Sequence, residues 1–287
     1  MSRIAYVNGR YLRHSDAAVH IEDRGYQFAD GVYEVCEVRD GYIVDITRHL
    51  DRLERSLREL SIKWPMSRFA LTRVIRETVR RNHVLNGMFY LQITRGVAKR
   101  DHVFPAASVE SSLVITAKHT SRDAGEARAA KGIAVISVPD NRWERVDIKT
   151  VGLLPNVMAR EAAKQRGAQE AVYIDPDGFV KEGAATNVWI VSKEGKLVTR
   201  PAEFGILRGV TRTTVMDVAK KLGLELEERS FSVVEAKQAR EVFITAATTL
   251  VMPVVQFDGA SIGNGHPGSL TLQLRDEFFA VAEKTLA

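Results

Sequence analysis

Apolar positions in this chain first alternate and then cluster. Ile4-Ala5-Tyr6-Val7 and Tyr11-Leu12 flank Asn8-Gly9. A dipeptide tolerant of positive φ between two such runs predicts a hairpin over 3–13. Gly31 to Val38 alternates with a period of two, which predicts a strand with Tyr33 and Val35 on one face. Asp40-Gly41 then turns the chain into a return strand through Tyr42, Ile43 and Val44. Here the period changes. Leu50, Leu53, Leu57 and Leu60 recur at three and four, the buried stripe of a helix from about Thr47. A second helix starts at the N-cap Ser67, with Leu71, Val74, Ile75 and Thr78 inward. Strands return at 88–94 and 113–117. The polar stretch 119–130, with Gly125 and alternating charges, shows neither period and predicts a linker. That divides the chain into domains at 1–118 and 131–287.

The second half repeats the mixture. A strand is expected at 132–138, and a short one at 145–150 carrying Lys149 inward among apolar neighbours. Pro155 to Arg166 reads as a helix with proline in its first turn and Gly167 beyond its end. Residues 171–174 and 178–180 pair across Asp175-Pro176-Asp177-Gly178, which sets Glu182 at the far end of a hairpin strand. A further hairpin joins 187–191 to 196–199 around Glu194-Gly195. Gly209-Val210-Thr211 opens a helix with Val215, Val218, Ala219 and Leu222 inward, stopped by Gly223. A strand at 242–245 runs into the small-residue turn Ala246-Ala247-Thr248-Thr249. From Leu270 the tail is an amphipathic helix with Leu274, Phe278 and Val281 inward.

Composition narrows the function classes. At 287 residues and 45% apolar content, the chain can bury a full core in one large or two modest domains. No apolar run is of bilayer length, and no signal-peptide pattern follows Met1, so no membrane role is expected. Cys36 stands alone and cannot form an internal disulfide, which points to the reducing cytoplasm. The net charge is +5, but Arg48, Asp51, Arg52, Glu54, Arg55, Arg58 and Glu59 interleave their signs. That is a solvated helix face rather than a nucleic-acid footprint, and no zinc-finger spacing or RNA-recognition motif accompanies it.

Certain side chains carry candidate chemistry. A neutral lysine amine attacks carbonyls, so Lys149 is a Schiff-base candidate. Glu182, at a strand end before small and hydroxyl residues, is suited to face a pyridine nitrogen. Arg52 beside the leucine stripe fits either a snorkelling side chain or a fork for phosphate. Arg100 and His102 lie in the basic loop 95–105, which reads either as surface or as a trap for a carboxylate. The start of the helix at Val210 and Thr211 is either a plain cap or a phosphate site.

Taken together, Asp30-Gly31-Val32-Tyr33-Glu34-Val35, His49-Leu50-Asp51-Arg52-Leu53, Asp147-Ile148-Lys149-Thr150, Glu182-Gly183 with Thr186-Asn187, and Ile206-Leu207-Arg208-Gly209-Val210-Thr211-Arg212 occur in order. In that order they resemble the fold-type IV pyridoxal-phosphate enzymes, the branched-chain and D-amino-acid aminotransferase family. The resemblance covers nearly the whole chain. It implies an α/β fold in two domains, a smaller N-terminal one and a larger C-terminal one with a barrel-like core. The cofactor would be pyridoxal 5'-phosphate, held by Lys149 as an internal aldimine. Arg52, Val210 and Thr211 would grip its phosphate, Glu182 would pair with the ring nitrogen, and Leu207 would pack on the ring face. Thr186, Ala247 and Thr248 would complete the cofactor site. Tyr33, Val35, Arg100 and His102 resemble the substrate side of the D-amino-acid subgroup, whose Arg-x-His loop captures the substrate carboxylate. In that subgroup loop 95–105 would enter the partner's site in a homodimer. The implied reaction is transamination between D-amino acids, such as D-alanine and D-glutamate, and 2-oxo acids, such as 2-oxoglutarate and pyruvate. A branched-chain L-amino-acid aminotransferase, an (R)-amine transaminase and an aminodeoxychorismate lyase share the cofactor residues. Ala246 and Ala247 stand where the family usually has Ser or Thr, which predicts looser cofactor retention. Ala184 and Ala185 likewise replace hydroxyls often found after the glutamate.

Overall fold

The computed structural model describes residues 3–203 and 205–287, which fall into two compact units. The first contains the chain up to Arg122, together with Ile148–Gly152 and Glu283–Ala287. Its elements are β1 (Ile4–Val7), β2 (Arg10–Arg13), α1 (Arg24–Phe28), β3 (Gly31–Arg39), β4 (Tyr42–Val44), α2 (Ile46–Glu59), α3 (Arg68–Arg81), β5 (Gly87–Thr94) and β6 (Ser112–His119). The strands form one sheet in the order C-terminal strand Lys284–Leu286, β4, β3, β5, β6, β1, β2. The β1–β2 turn places Asn8 at φ 44 and Gly9 at φ 90, the left-handed pair a two-residue hairpin needs. Ser67 caps α3 by accepting the amide of Ala70.

The leucine stripe of α2 and the inward residues of α3 lie against Val32, Cys36, Phe89, Leu91, Ile93 and Ile115 of the sheet. Each such leucine contributes roughly 1.5–3 kcal/mol by leaving water. Ile148 belongs to the same core.

The second unit holds α4 (Arg122–Lys131), apart from its first residue, then β7 (Ile133–Pro139), α5 (Leu154–Gln165), β8 (Glu170–Ile174), β9 (Val180–Gly183), β10 (Asn187–Val191), β11 (Leu197–Thr199), α6 (Val210–Lys221), β12 (Leu226–Glu228), α7 (Val233–Gln238), β13 (Glu241–Ala246), β14 (Leu250–Phe257), β15 (Ala260–Ser261) and α8 (Ser269–Val281). Strands β10, β13, β14, β7, β8 and β9 follow one another around a ring, and β9 pairs with β10 to close a six-stranded barrel. Val135, Val172, Val188, Ile190, Val242, Ile244 and Val254 share one core cluster. All five residues of β10 are buried, as expected of a strand covered on both faces. The closing pair is Glu182 with Asn187.

Two local expectations are corrected. The stretch 119–130 is not an aperiodic linker, because 122–131 are helical. Its apolar residues are alanines, and only Ala129 is buried, so a good helix former leaves little periodic trace. The segment 145–150 is not a regular strand; only Thr150 pairs, through an isolated bridge to Val32. Among the described residues no helix is long and apolar enough to cross a membrane.

Candidate active site

The first unit builds a site around Lys149 from its backbone outward. The N-terminal half of β3 is flanked on one edge by β5 and on the other by the segment 148–151. The Tyr33 amide donates to the Lys149 carbonyl at 3.0 Å, and the Val151 amide to the Gly31 carbonyl at 3.0 Å. Buried Ile148 anchors this segment in the core. The neighbouring Lys149 is half-buried, with Nζ 4.2 Å from the centroid of the Tyr33 ring. Tyr33 in turn stacks on Tyr90 with centroids 5.7 Å apart. Alternation sets Val35 on the same face of β3 as Tyr33.

The opposite face of β3 carries Glu34, 2% exposed among Val32, Cys36 and Val38. Helix α2 brings His49, Arg52 and Ser56 onto one side, at spacings of three and four. Arg52 donates from Nε to Glu34 Oε1 and from Nη2 to Oε2, both at 2.8 Å. His49 Nδ1 lies 2.7 Å from Glu34 Oε2, and Ser56 Oγ accepts the Lys149 amide at 3.4 Å. Burial opposes charge on Glu34, but Arg52 and His49 outweigh it and hold the carboxyl down at about 2. Arg52, expected either to snorkel or to meet phosphate, therefore has its guanidinium plane fixed by a buried carboxylate.

Arg100 and His102 are exposed and lie against Phe28. The Arg100 guanidinium is 4.6 Å from the Phe28 centroid, and the His102 ring is 5.5 Å away. Arg24 Nη1 donates to the Asp101 carbonyl at 2.7 Å, which pins the loop between them.

The second unit places Glu182 at the barrel seam. Glu182 Oε2 accepts the Leu207 amide at 2.9 Å and Asn187 Nδ2 at 3.3 Å. Glu182 Oε1 accepts Arg142 Nη1 at 2.6 Å. No sequence pattern singles out Arg142. Its Nε and Nη2 donate to Asp140 Oδ1 and Oδ2 at 2.9 and 3.0 Å. Asn187 Nδ2 also donates to the Leu207 carbonyl at 2.9 Å, so the approach to α6 is tied to the same carboxylate.

Helix α6 starts at Val210 and Thr211, both buried, after Gly209, which supplies no side-chain cap. A Cβ on Gly209 would lie 2.0 Å from Asn187 Oδ1, so any side chain here would have to displace Asn187. Thr186 Oγ1 and Thr249 Oγ1 are buried with no hydrogen-bond partner among the described residues. Ala247 and exposed Thr248 lie in the turn after β13. Uncapped amides and spare hydroxyls suit a phosphate, and a buried carboxylate paired with an arginine suits a protonated ring nitrogen. The donor set of the chain thus fits pyridoxal phosphate. Among the described residues no cluster of His, Cys, Asp and Glu could hold a metal.

Glu34, His49, Asp140 and Arg142 escape a reading of the sequence for sites. For Glu34 a signal exists: alternation puts a carboxylate on the inward face of β3, which demands a buried partner. Asp140 and Arg142 follow β7 in an irregular segment, where no periodicity marks what is buried.

The family model described as amino-transferase class IV matches residues 31–257. A D-alanine aminotransferase of Bacillus licheniformis is 40% identical over 264 residues, 92% of each chain. One from Listeria innocua is 38% identical over 274 residues, 95% of this chain and 93% of the relative. The branched-chain amino acid aminotransferase of Escherichia coli superposes with a TM-score of 0.90 at 25% identity, over 98% of this chain and 95% of its own. A second branched-chain amino acid aminotransferase, that of T.th., solved with pyridoxamine 5'-phosphate, gives a TM-score of 0.89 at 25% identity, over 97% and 93%. With matches of this extent, the chain belongs to the class IV amino-transferase family.

Proposed function

We propose that this chain transaminates D-amino acids, such as D-alanine and D-glutamate, with 2-oxo acids such as 2-oxoglutarate or pyruvate, using pyridoxal 5'-phosphate. The observation that carries the chemistry is the Lys149 amine, held at 4.2 Å over the Tyr33 ring by a backbone laid along β3. The choice of D-amino acids is supported by the relatives named D-alanine aminotransferase at 36–40% identity.

When bound, pyridoxal phosphate supplies a carbonyl for primary amines and a ring that accepts the electron pair released at Cα. Lys149 is the covalent anchor, and then the base that moves the Cα proton. Arg52, oriented by Glu34, binds the phosphate by charge. The Val210 and Thr211 amides, Thr186 and the 247–248 turn serve it by hydrogen bonding. Glu182 holds the proton on the ring nitrogen, and Leu207 covers the ring. Tyr33 and Val35 border the substrate. Arg100 and His102 fix its carboxylate, which decides which Cα hydrogen meets Lys149. A carboxylate gripped from one side leaves the D isomer's hydrogen, and not its side chain, toward the amine.

The working assembly is a homodimer in which loop 95–105 of one protomer serves its partner's site. The lone cysteine, buried in the first core, supports a cytoplasmic setting.

A branched-chain L-amino-acid aminotransferase is the second reading, favoured by the TM-score of 0.90 to the Escherichia coli enzyme. Absorbance of the purified protein separates the two. Conversion to the pyridoxamine form by D-alanine and not L-leucine is expected. Conversion by L-leucine alone moves the assignment to the branched-chain group. A protein that takes up no pyridoxal phosphate ends both readings.

A further inference from the structure

Glu182 ends a line of four charges of alternating sign. Lys181 Nζ is 2.6 Å from Asp140 Oδ2. Asp140 holds Arg142 by two side-chain bonds and also accepts the Arg142 amide at 3.1 Å. Arg142 reaches Glu182 with its remaining terminal nitrogen. The Arg142 side chain is only 7% exposed, and those of Asp140 and Glu182 6% each, so water screens these charges weakly. The Arg142 guanidinium also lies 4.1 Å from the centroid of the Tyr173 ring, which fixes its plane.

The order of signs has a consequence for Glu182. A bare guanidinium at 2.6 Å would draw electron density from Glu182 and make it a poor acceptor for any other proton. Asp140 takes up much of that positive charge. Lys181, on the far side of Asp140, does the reverse. Burial pushes the Asp140 carboxyl up, but the bonds from Arg142 and Lys181 outweigh it and hold it at about 2, so Asp140 stays charged at neutral pH.

We propose that Asp140, acting through Arg142, keeps Glu182 basic enough to hold the proton on the ring nitrogen, and that Lys181 moderates this effect. These are positioning residues that need no contact with the substrate. The inference rests on the reading that Glu182 faces the ring nitrogen.

The test is 15N NMR of the holoenzyme, reconstituted with pyridoxal phosphate labelled at the ring nitrogen. The quantity read is the pH at which that nitrogen loses its proton. Asp140→Asn is expected to lower this midpoint by roughly one pH unit, the scale of a neighbouring charge removed. Lys181→Gln removes a charge of the opposite sign and is expected not to lower it. Arg142→Lys keeps the cation but loses the fork to Asp140, so it is expected to lower the midpoint and carries the test should Asp140→Asn not fold. An unchanged or higher midpoint in Asp140→Asn overturns the inference. So does a fall in Lys181→Gln alongside Asp140→Asn, since general loosening moves every variant the same way. Glu182→Gln separates the two levels. If it leaves the midpoint unchanged, the reading of Glu182 fails and the inference falls with it. If it lowers the midpoint while Asp140→Asn does not, only the inference fails.

Discussion

At the scale of single residues, Lys149 and Glu34 divide the work between chemistry and stability. Lys149 is half-buried, and its ammonium meets an aromatic face, so the site loses little packing when it is truncated. Lys149→Ala is therefore expected to abolish turnover and cofactor attachment while shifting the melting temperature by only a few degrees. Wild-type turnover in that variant would remove Lys149 from the reaction. Glu34 is the opposite case. Its carboxyl is held at about 2 by Arg52 and His49, below an ordinary value of 4.5. A depressed carboxyl stabilises the fold above its ordinary range, and the benefit is lost as pH falls from about 4.5 toward 2. Glu34→Gln removes the carboxylate that Arg52 and His49 face and is expected to destabilise by roughly 3 kcal/mol at pH 7. Urea unfolding at pH 7 and pH 3 checks the sign: the gap between wild type and variant should narrow in acid. A gap that widens would mean that Glu34 is protonated in the folded chain.

At the scale of elements, the candidate groups of the second unit gather at junctions between strands and helices. The barrel closes at Glu182 and Asn187, and Asn187 then occupies the space a side chain on Gly209 would need. Gly209→Ala is expected to displace Asn187, break its bonds to Glu182 and the Leu207 carbonyl, and raise the dissociation constant for pyridoxal phosphate at least tenfold, roughly the effect of one lost hydrogen bond. Fluorescence titration of the apoenzyme measures this, and unchanged affinity would mean that the start of α6 plays no part in binding. Junctions also explain what is legible. The hairpin at Asn8-Gly9, the strand at Gly31 and the leucine stripe of α2 are periodic, and periodicity survives in a single sequence. Helix α4 hides because its apolar face is alanine, and the strand expected around Lys149 reduces to one bridge because its neighbours bond singly to β3. The Glu182 hairpin is readable from its turn, but barrel closure is not, because β9 and β10 meet in a single residue pair. Arg142 reaches Glu182 across 40 positions of sequence. No local pattern records such a partner.

At the scale of the whole molecule, the proposed dimer divides the substrate's carboxylate from its reacting carbon. Arg100 and His102 are exposed on their own protomer, packed against Phe28 and held by the Arg24 bond to Asp101. An exposed guanidinium stacked on an aromatic ring is well placed to offer its edge to an incoming carboxylate. Arg100→Ala should then reduce kcat/KM for D-alanine by about a hundredfold, the scale of a lost charge-assisted pair, and spare amines that lack a carboxylate. An equal loss on both would make the loop structural. Whose site the loop serves can be decided by mixing subunits. Arg100→Ala and Lys149→Ala chains are each expected to be nearly inactive toward D-alanine. If the loop serves the partner, a hybrid dimer contains one complete site, with Lys149 from one chain and Arg100 from the other. Random reassociation makes half the dimers hybrid, so activity should recover to roughly a quarter of wild type per subunit. If the loop serves its own protomer, each hybrid site lacks one of the two residues and nothing is regained. Recovery after co-refolding, and none on mixing stable dimers, would locate the exchange at the protomer interface and make the dimer the catalytic unit.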